Sequence, residues 1–283
     1  MIPLRRGRLN RNSIPFLLLT IIHLIIFSQL LKRKREYTWT LLLSNIGFAF
    51  FFEYFVLNLF QAYTYKPSIL KIKYLDNILG AILSQAFYVP ITATFLTIYK
   101  KNWRWKVSFI TYFYIVEELF LRLGIYKTNW WNPKFTTVLM LIYFYISDYF
   151  YKMIEKRKYW ALKLAQYLTI VVIDVTFMYT LAVRGKLKFG VGLLHTWKEH
   201  FIIAPLYSLL LSFFSTFISS KRGIIYRFYH LLYFLVVDYF LIKVRFVKIN
   251  YSAFLQFIPW HLFVIYVSRL VYKEIFSNSK ERT

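Results

Sequence analysis

The feature that most constrains this chain is a succession of nine apolar runs, each about twenty residues long and each closed by Lys or Arg. At 1.5 Å per helical residue, a run of that length crosses a hydrocarbon layer of about 30 Å. The runs are Ser13–Leu31, Thr38–Gln61, Asn77–Tyr99, Trp105–Tyr126, Phe135–Ile154, Trp160–Val183, His200–Ser219, Gly223–Lys243 and Tyr251–Tyr272. They predict an all-α, polytopic transmembrane bundle of about nine helices. A β-barrel would need apolar and polar residues to alternate, and Phe48–Phe52 does not alternate. The composition agrees, because 59% of the 283 residues are hydrophobic and 22% are aromatic, more than a soluble chain of this size could cover.

The net charge of +25 is concentrated in the short gaps between runs. So placed, Lys and Arg act as interfacial anchors on anionic lipid headgroups, and no nucleic acid partner is expected. Protein partners are unknown from sequence. The richer set of ends, including Lys32–Glu36 and Glu155–Tyr159, is expected on the cytoplasmic side of a bacterial plasma membrane. The first run follows Arg5, Arg6, Arg8 and Arg11 but lacks a small-residue cleavage site after it, so it reads as an uncleaved anchor helix. There is no Cys, which excludes disulfides and thiolate metal sites.

The run pattern repeats. A shift of 121 positions lays Glu53 on Asp174, Tyr112 on Tyr233, Glu117 on Asp238, Lys127 on Lys248, Asn129 on Asn250 and Ser147 on Ser268. For the run between, a shift of 115 lays Lys71 and Lys73 on Lys186 and Lys188, and Pro90 on Pro205. These matches suggest a tandem duplication. The expected organisation is a basic N-terminus and anchor helix (1–37), a four-helix repeat (38–154), a basic linker (155–159), a second four-helix repeat (160–274) and a polar tail (275–283). Four spans per copy would make the repeat parallel, with the anchor helix packed outside.

Carboxylates sit near the middle or inner third of runs at Glu53, Glu117/Glu118, Asp174 and Asp238, with Asp148 closer to an end, and Glu53, Glu117, Asp174 and Asp238 are the candidate binding acids. A charge at bilayer depth costs about 2.5–3.5 kcal/mol on insertion scales and should face the bundle interior. Glu118 and Arg122 are four apart on one helical face, in the order that favours an ion pair. Glu117 points about 100° away and has no basic partner one turn off, so it is the candidate functional acid. The acids either bind a cation or relay protons, or they fix packing through Tyr and Asn on other spans, such as Asn45, Asn58 or Tyr179.

Other chemistry is sparse. His195, Glu199 and His200 in HTWKEH could supply metal ligands but lack the standard spacing, so no metal is expected. Phosphate-loop, dinucleotide and nucleophile-elbow patterns are absent, and no cofactor is expected. Glu117-Glu118-x-x-x-Arg122 fits the first motif of the CAAX-type intramembrane proteases. That family also needs catalytic His residues, and the nearest here, His230 and His261, depart from its pattern with Tyr226 and Ile265 at the companion positions.

A further likeness covers about 45–154. It rests on Glu53, Tyr54 and Asn58, on Tyr65-Lys66-Pro67, on Tyr88-x-Pro90, and on the turn Gly124, Tyr126, Asn129, Trp130, Trp131 that closes the run of Glu117. These elements resemble a family of small multi-pass membrane proteins of unknown function in spore-forming Gram-positive bacteria, with Trp130 standing where that family has Gly. The resemblance implies location and fold, with no activity attached. Three functions stay open: a transporter or binder using the acids for a cation or proton, an intramembrane enzyme acting through Glu117 on a lipid, prenyl or peptide substrate, and a structural membrane subunit.

Overall fold

The computed structural model describes residues 10–33, 36–192, 195–249 and 251–277. Arg5, Arg6, Arg8, the basic residues 34–35, Asn250 and the tail 278–283 lie outside them. Among the described residues there are nine helices: α1 (Ser13–Arg33), α2 (Thr38–Leu59), α3 (Lys73–Ile98), α4 (Trp103–Arg122), α5 (Pro133–Glu155), α6 (Tyr159–Val183), α7 (Trp197–Ile218), α8 (Ile224–Lys243) and α9 (Tyr251–Ser277). Six of them, α1, α2, α3, α6, α7 and α8, are long and apolar enough to cross a membrane by length and composition. The other three are as long, but α4 carries Arg104, Lys106, Glu117, Glu118 and Arg122, α5 carries Asp148 and Lys152, and α9 carries Arg269 and Lys273. Exposed Leu17, Leu18, Ile21, Ile22 and Ile25 on α1, and Val236, Tyr239 and Phe240 on α8, present apolar faces suited to lipid. The chain is a multi-pass helical bundle.

Four three-residue strands interrupt the helices, a feature the apolar runs gave no sign of. β1 (Tyr63–Tyr65) pairs antiparallel with β2 (Tyr126–Thr128), and β3 (Leu187–Phe189) with β4 (Val247–Ile249). Each strand follows a helix end of one kind. Gln61, Gly124, Gly185 and Arg245 adopt the left-handed conformation, with φ between 50° and 67°. The next residue's N–H then reaches back six positions or five, as from Ile125 to the Phe120 carbonyl at 3.1 Å. This closure satisfies carbonyls that a helix end otherwise leaves bare. It also shortens the fourth run: α4 stops at Arg122, and Tyr126 belongs to β2.

Two helices contain a wide turn. α2 finishes in a π segment at Tyr54–Leu59, and α3 carries one at Leu83–Tyr88, just ahead of Pro90. An extra residue per turn frees a carbonyl, which is how a helix accommodates a proline that cannot donate.

The chain divides into an N-terminal unit ending at Ala161 and a C-terminal unit beginning at Leu162. In the first, α1 is an integral member rather than an outlying anchor. Tyr88 Oη donates to the Phe16 carbonyl at 2.8 Å, Ser13 Oγ to the Pro67 carbonyl at 2.7 Å, and Tyr99 Oη to the Gln29 carbonyl at 2.9 Å. These bonds tie both ends of α1 to α3 and the segment before it. Pairing in this unit also uses a polar core: Asn45 Nδ2 donates to Thr94 and Ser147 hydroxyls at 3.0 Å, and Asp148 takes Thr97 at 2.6 Å and the Lys106 ammonium. Asn45 is therefore committed here and not to any of the four acids.

The second unit has the same order of elements. α4 and β2 correspond to α8 and β4 at a displacement of 121 positions, whereas β1 corresponds to β3 at 124. The 115-position match is therefore displaced from the structure: Lys188 lies within β3, and Lys71 and Lys73 come after β1 at the approach to α3. A better guide is the last N–H of each strand. Tyr65 donates to Asn77 Oδ1 at 2.7 Å, and Phe189 to His200 Nδ1 at 3.1 Å.

Candidate functional site

The N-terminal unit encloses a cavity of about 350 Å³. Its walls come from α1 (Phe16, Leu19), α2 (Phe48, Phe52), both strands, the π segment of α3, α4 and α5. Most of the lining is apolar. Its polar groups are Tyr63, Tyr65, Ser84, Gln85, Tyr88, Glu117, Tyr126, Thr136 and Tyr143.

The strand pair places the aromatic residues. Tyr63 and Tyr65, two apart on β1, face the same way, and Tyr126 lies opposite Tyr65 on β2. Ring centroids are 5.5 Å apart for Tyr63 and Tyr65, 5.0 Å for Tyr65 and Tyr126, and 5.5 Å for Tyr63 and Trp131. Gly80 admits this cluster, since a Cβ there would lie 2.4 Å from Tyr65 Cβ. Burial, with neighbouring carboxylates adding to it, raises the Tyr63, Tyr65 and Tyr126 phenols above their ordinary range, so all three stay protonated donors.

The turn expected to matter holds the strands in place. Asn129 N–H donates to the Ala62 carbonyl at 2.8 Å, Asn129 Nδ2 to the Gln61 carbonyl at 2.6 Å, and Trp130 Nε1 to the Phe60 carbonyl at 2.8 Å. Three carbonyls past the end of α2 are thus capped from across the sheet. Trp131 Nε1 donates to Thr136 Oγ1 at 2.9 Å and turns its ring to the cavity wall.

The two acids of this unit differ in state. Glu53 is buried behind the tyrosines, and its Oε2 accepts from Tyr63 Oη at 2.6 Å. Glu117 lines the cavity, and neither of its oxygens accepts a hydrogen bond, although both are shielded from solvent. Tyr126 and Thr136 flank it, short of bonding geometry. Glu118 and Arg122 make no ion pair, whereas Lys106 pairs with Asp148 and His261 with Asp238. Arg122 stands exposed in the last turn of α4, where an i,i+4 pair in water holds little energy, about 0.3–0.5 kcal/mol.

In the C-terminal unit the acids are closed off. Asp238 accepts from Tyr207 Oη at 2.6 Å and pairs with His261 Nε2 at 2.7 Å. Asp174 accepts from Trp260 Nε1 at 2.8 Å, and the Trp260 ring stacks on Phe177 at 3.6 Å. The space beside Asp238 measures about 10 Å³. A single water needs a comparable volume.

The histidines have structural employment. Thr196 and Glu199 form a capping box at the start of α7, and His195 meets the carbonyls of Lys188 and Arg245 at 3.0 and 3.1 Å. His230 Nε2 lies 2.8 Å from Ser215 Oγ. Among the described residues no three His, Cys, Asp or Glu side chains gather as a metal site would require. Tyr63, Gln85, Tyr207 and Trp260 were not singled out from sequence. The alternation Tyr63-Thr64-Tyr65 is the one local signal that could have found part of the set.

Comparison with family models, with curated proteins and with solved structures finds no match to this chain, including none for the resemblance over 45–154. The site is read from its own chemistry.

Proposed function

We propose that the N-terminal unit is a membrane-embedded binding chamber, part of a transport or carrier function, in which Glu117 meets the polar end of a small molecule. One observation carries this: a carboxylate with both oxygens unpartnered lines a cavity of about 350 Å³. Small-molecule sites occupy about 300–1,000 Å³, are mostly apolar, and orient the ligand through a few polar groups. A buried carboxylate without partners is costly, so evolution keeps one where something else completes it.

The same reading takes 38–154 and 160–274 as diverged copies of one four-helix unit, descended from the small-membrane-protein family described above and resident in a bacterial plasma membrane. The matching strand pairs and the acids at Glu53, Glu117, Asp174 and Asp238 support it. In the second copy the binding role has given way to packing. The protease alternative draws no support from geometry, since His261 is engaged by Asp238 and His230 by Ser215.

A hydrophobic carbodiimide tests the chamber. It enters from lipid, adds to a carboxylic acid it can reach, and leaves a stable adduct that peptide mapping locates. The full chain in lipid nanodiscs should be modified at Glu117 and spared at Glu53, which does not line the cavity, and at Asp238, whose oxygens are held by Tyr207 and His261. Labelling elsewhere with Glu117 untouched would overturn the proposal.

A further inference from the structure

Resting on that chamber, we infer that its occupant is a lipophilic organic cation: a single ammonium head on an apolar body. Three observations point there. The only formal charge in the lining is Glu117, and among the described residues no Lys, Arg or His lines the cavity, so an anionic head finds no partner. The end of the cavity around Glu117 is built of rings, with Tyr65, Tyr126 and Trp131 within a network of centroid spacings near 5 Å. A carboxylate beside several aromatic rings is the chemistry that recognises ammonium, by Coulomb attraction and by the ring quadrupoles. Most of the remainder of the lining, Phe16, Phe113, Val116 and Leu139 among it, offers hydrocarbon contact, with Ser84, Gln85, Tyr88 and Tyr143 as its other polar groups.

Other occupants fit less well. A bare metal ion would demand several oxygen ligands, and here a single carboxylate stands among phenols. An uncharged molecule without a hydrogen-bond donor would leave both Glu117 oxygens unpaired, and one with a donor would leave the carboxylate's charge uncompensated in a mostly apolar chamber. An ammonium ion with alkyl substituents resolves both problems together. It neutralises the acid without demanding directed hydrogen bonds, and its body replaces the empty volume.

Benzyltrimethylammonium and its carbon isostere neopentylbenzene separate charge from shape. Binding of each to the full chain in nanodiscs is measured by equilibrium dialysis, with empty nanodiscs subtracted. The cation is expected to bind about tenfold or more tightly than the isostere, a ratio within reach of one desolvated cation–π and charge contact. Glu117→Gln should erase the preference while leaving the isostere unaffected, and cavity-filling Val116→Trp should abolish both. Equal binding of the two, both lost in Val116→Trp, overturns the cation and leaves the chamber standing. Binding of neither removes the chamber as well. Retention of the preference in Glu117→Gln also overturns the inference. Should that variant fail to fold, the wild-type ratio between cation and isostere decides alone.

Discussion

The two units place acids at matching points of the same helix order, yet the first has a cavity of about 350 Å³ at Glu117 and the second a space of about 10 Å³ beside Asp238. Positions 121 apart make the reason concrete. Where the N-terminal unit has Thr136 and Leu139, the C-terminal unit has Phe257 and Trp260, and Met140 gives way to His261. Aligned on the strand-to-helix hydrogen bonds of Asn77 and His200, Ser84 corresponds to Tyr207. Small residues line a cavity of about 350 Å³, and large ones leave about 10 Å³. The larger residues also bring donors, since Tyr207, Trp260 and His261 are the groups that bond Asp238 and Asp174. Asp238 is thus completed on both oxygens by its own fold, whereas Glu117 is left for something else to complete.

Removing each acid breaks or sharpens that contrast most directly. Asp238→Leu strands Tyr207 and His261 without their acceptor in a packed core, and each buried donor left unpaired costs about 1–3 kcal/mol. Glu117→Leu removes a group that bonds nothing and adds apolar surface to an apolar cavity, so stability should hold or rise. Thermal unfolding in detergent, followed by near-UV circular dichroism, should show a large drop for the first and none for the second. Equal losses would mean that the two acids share one structural role.

Space at the strand comes next. Gly80→Ala drives a Cβ to 2.4 Å from Tyr65 Cβ, and Gly190→Ala drives one to 2.6 Å from His195 Cγ. Overpacking of this kind costs about 1–3 kcal/mol. The first should also displace Tyr65 and so disturb the chamber, seen as lost carbodiimide labelling at Glu117, whereas the second should leave that labelling intact. A smaller effect is expected from single hydroxyls. Tyr63→Phe removes the hydroxyl that donates to Glu53 Oε2 and should cost about 1–3 kcal/mol, while Tyr207→Phe leaves Asp238 its His261 and should cost about 1 kcal/mol. Chemical denaturation of the two variants side by side checks the order.

How far the sequence foretold this follows from which interactions are local. Hydrophobic run length announces helices, and among the described residues the nine runs fall on nine helices, six of them apolar enough to cross a membrane, because such a helix is specified by its own composition. The acids were visible for the same reason, a charge in an apolar run being conspicuous. Their partners were not: Tyr63 with Glu53 is ten residues away across a helix end, and Trp260 with Asp174 is 86 residues away. The strands were hidden because three residues between long helices carry almost no periodic signal. Glu118 and Arg122 misled in the opposite direction, since correct spacing on a helix allows a pair without requiring one. The role of α1 was missed because its outward face reads like an anchor, while Phe16, Leu19 and His23 on the other face are buried against the first unit.

The finest distinction lies at the helix ends. Gly124 and Arg245 occupy matching positions after α4 and α8, with φ of 67° and 60°. Glycine adopts that conformation freely, whereas a residue with a Cβ meets the following carbonyl at a cost of about 1–2 kcal/mol. Gly124→Ala has open space for the new methyl, so strain alone should destabilise it, by about 1 kcal/mol. Arg245→Gly relieves the same strain but loosens the unfolded chain, an offset of roughly 0.4–1 kcal/mol. The net expectation is a gain of a few tenths of a kcal/mol, and its carbonyl remains in place for His195. Hydrogen exchange at Phe246 and Val247 gives the reading: slower exchange in Arg245→Gly marks the second unit as carrying a strained cap that the first avoids. Faster exchange would mean that the Arg245 side chain itself holds the end of α8, and the two caps would then differ in kind.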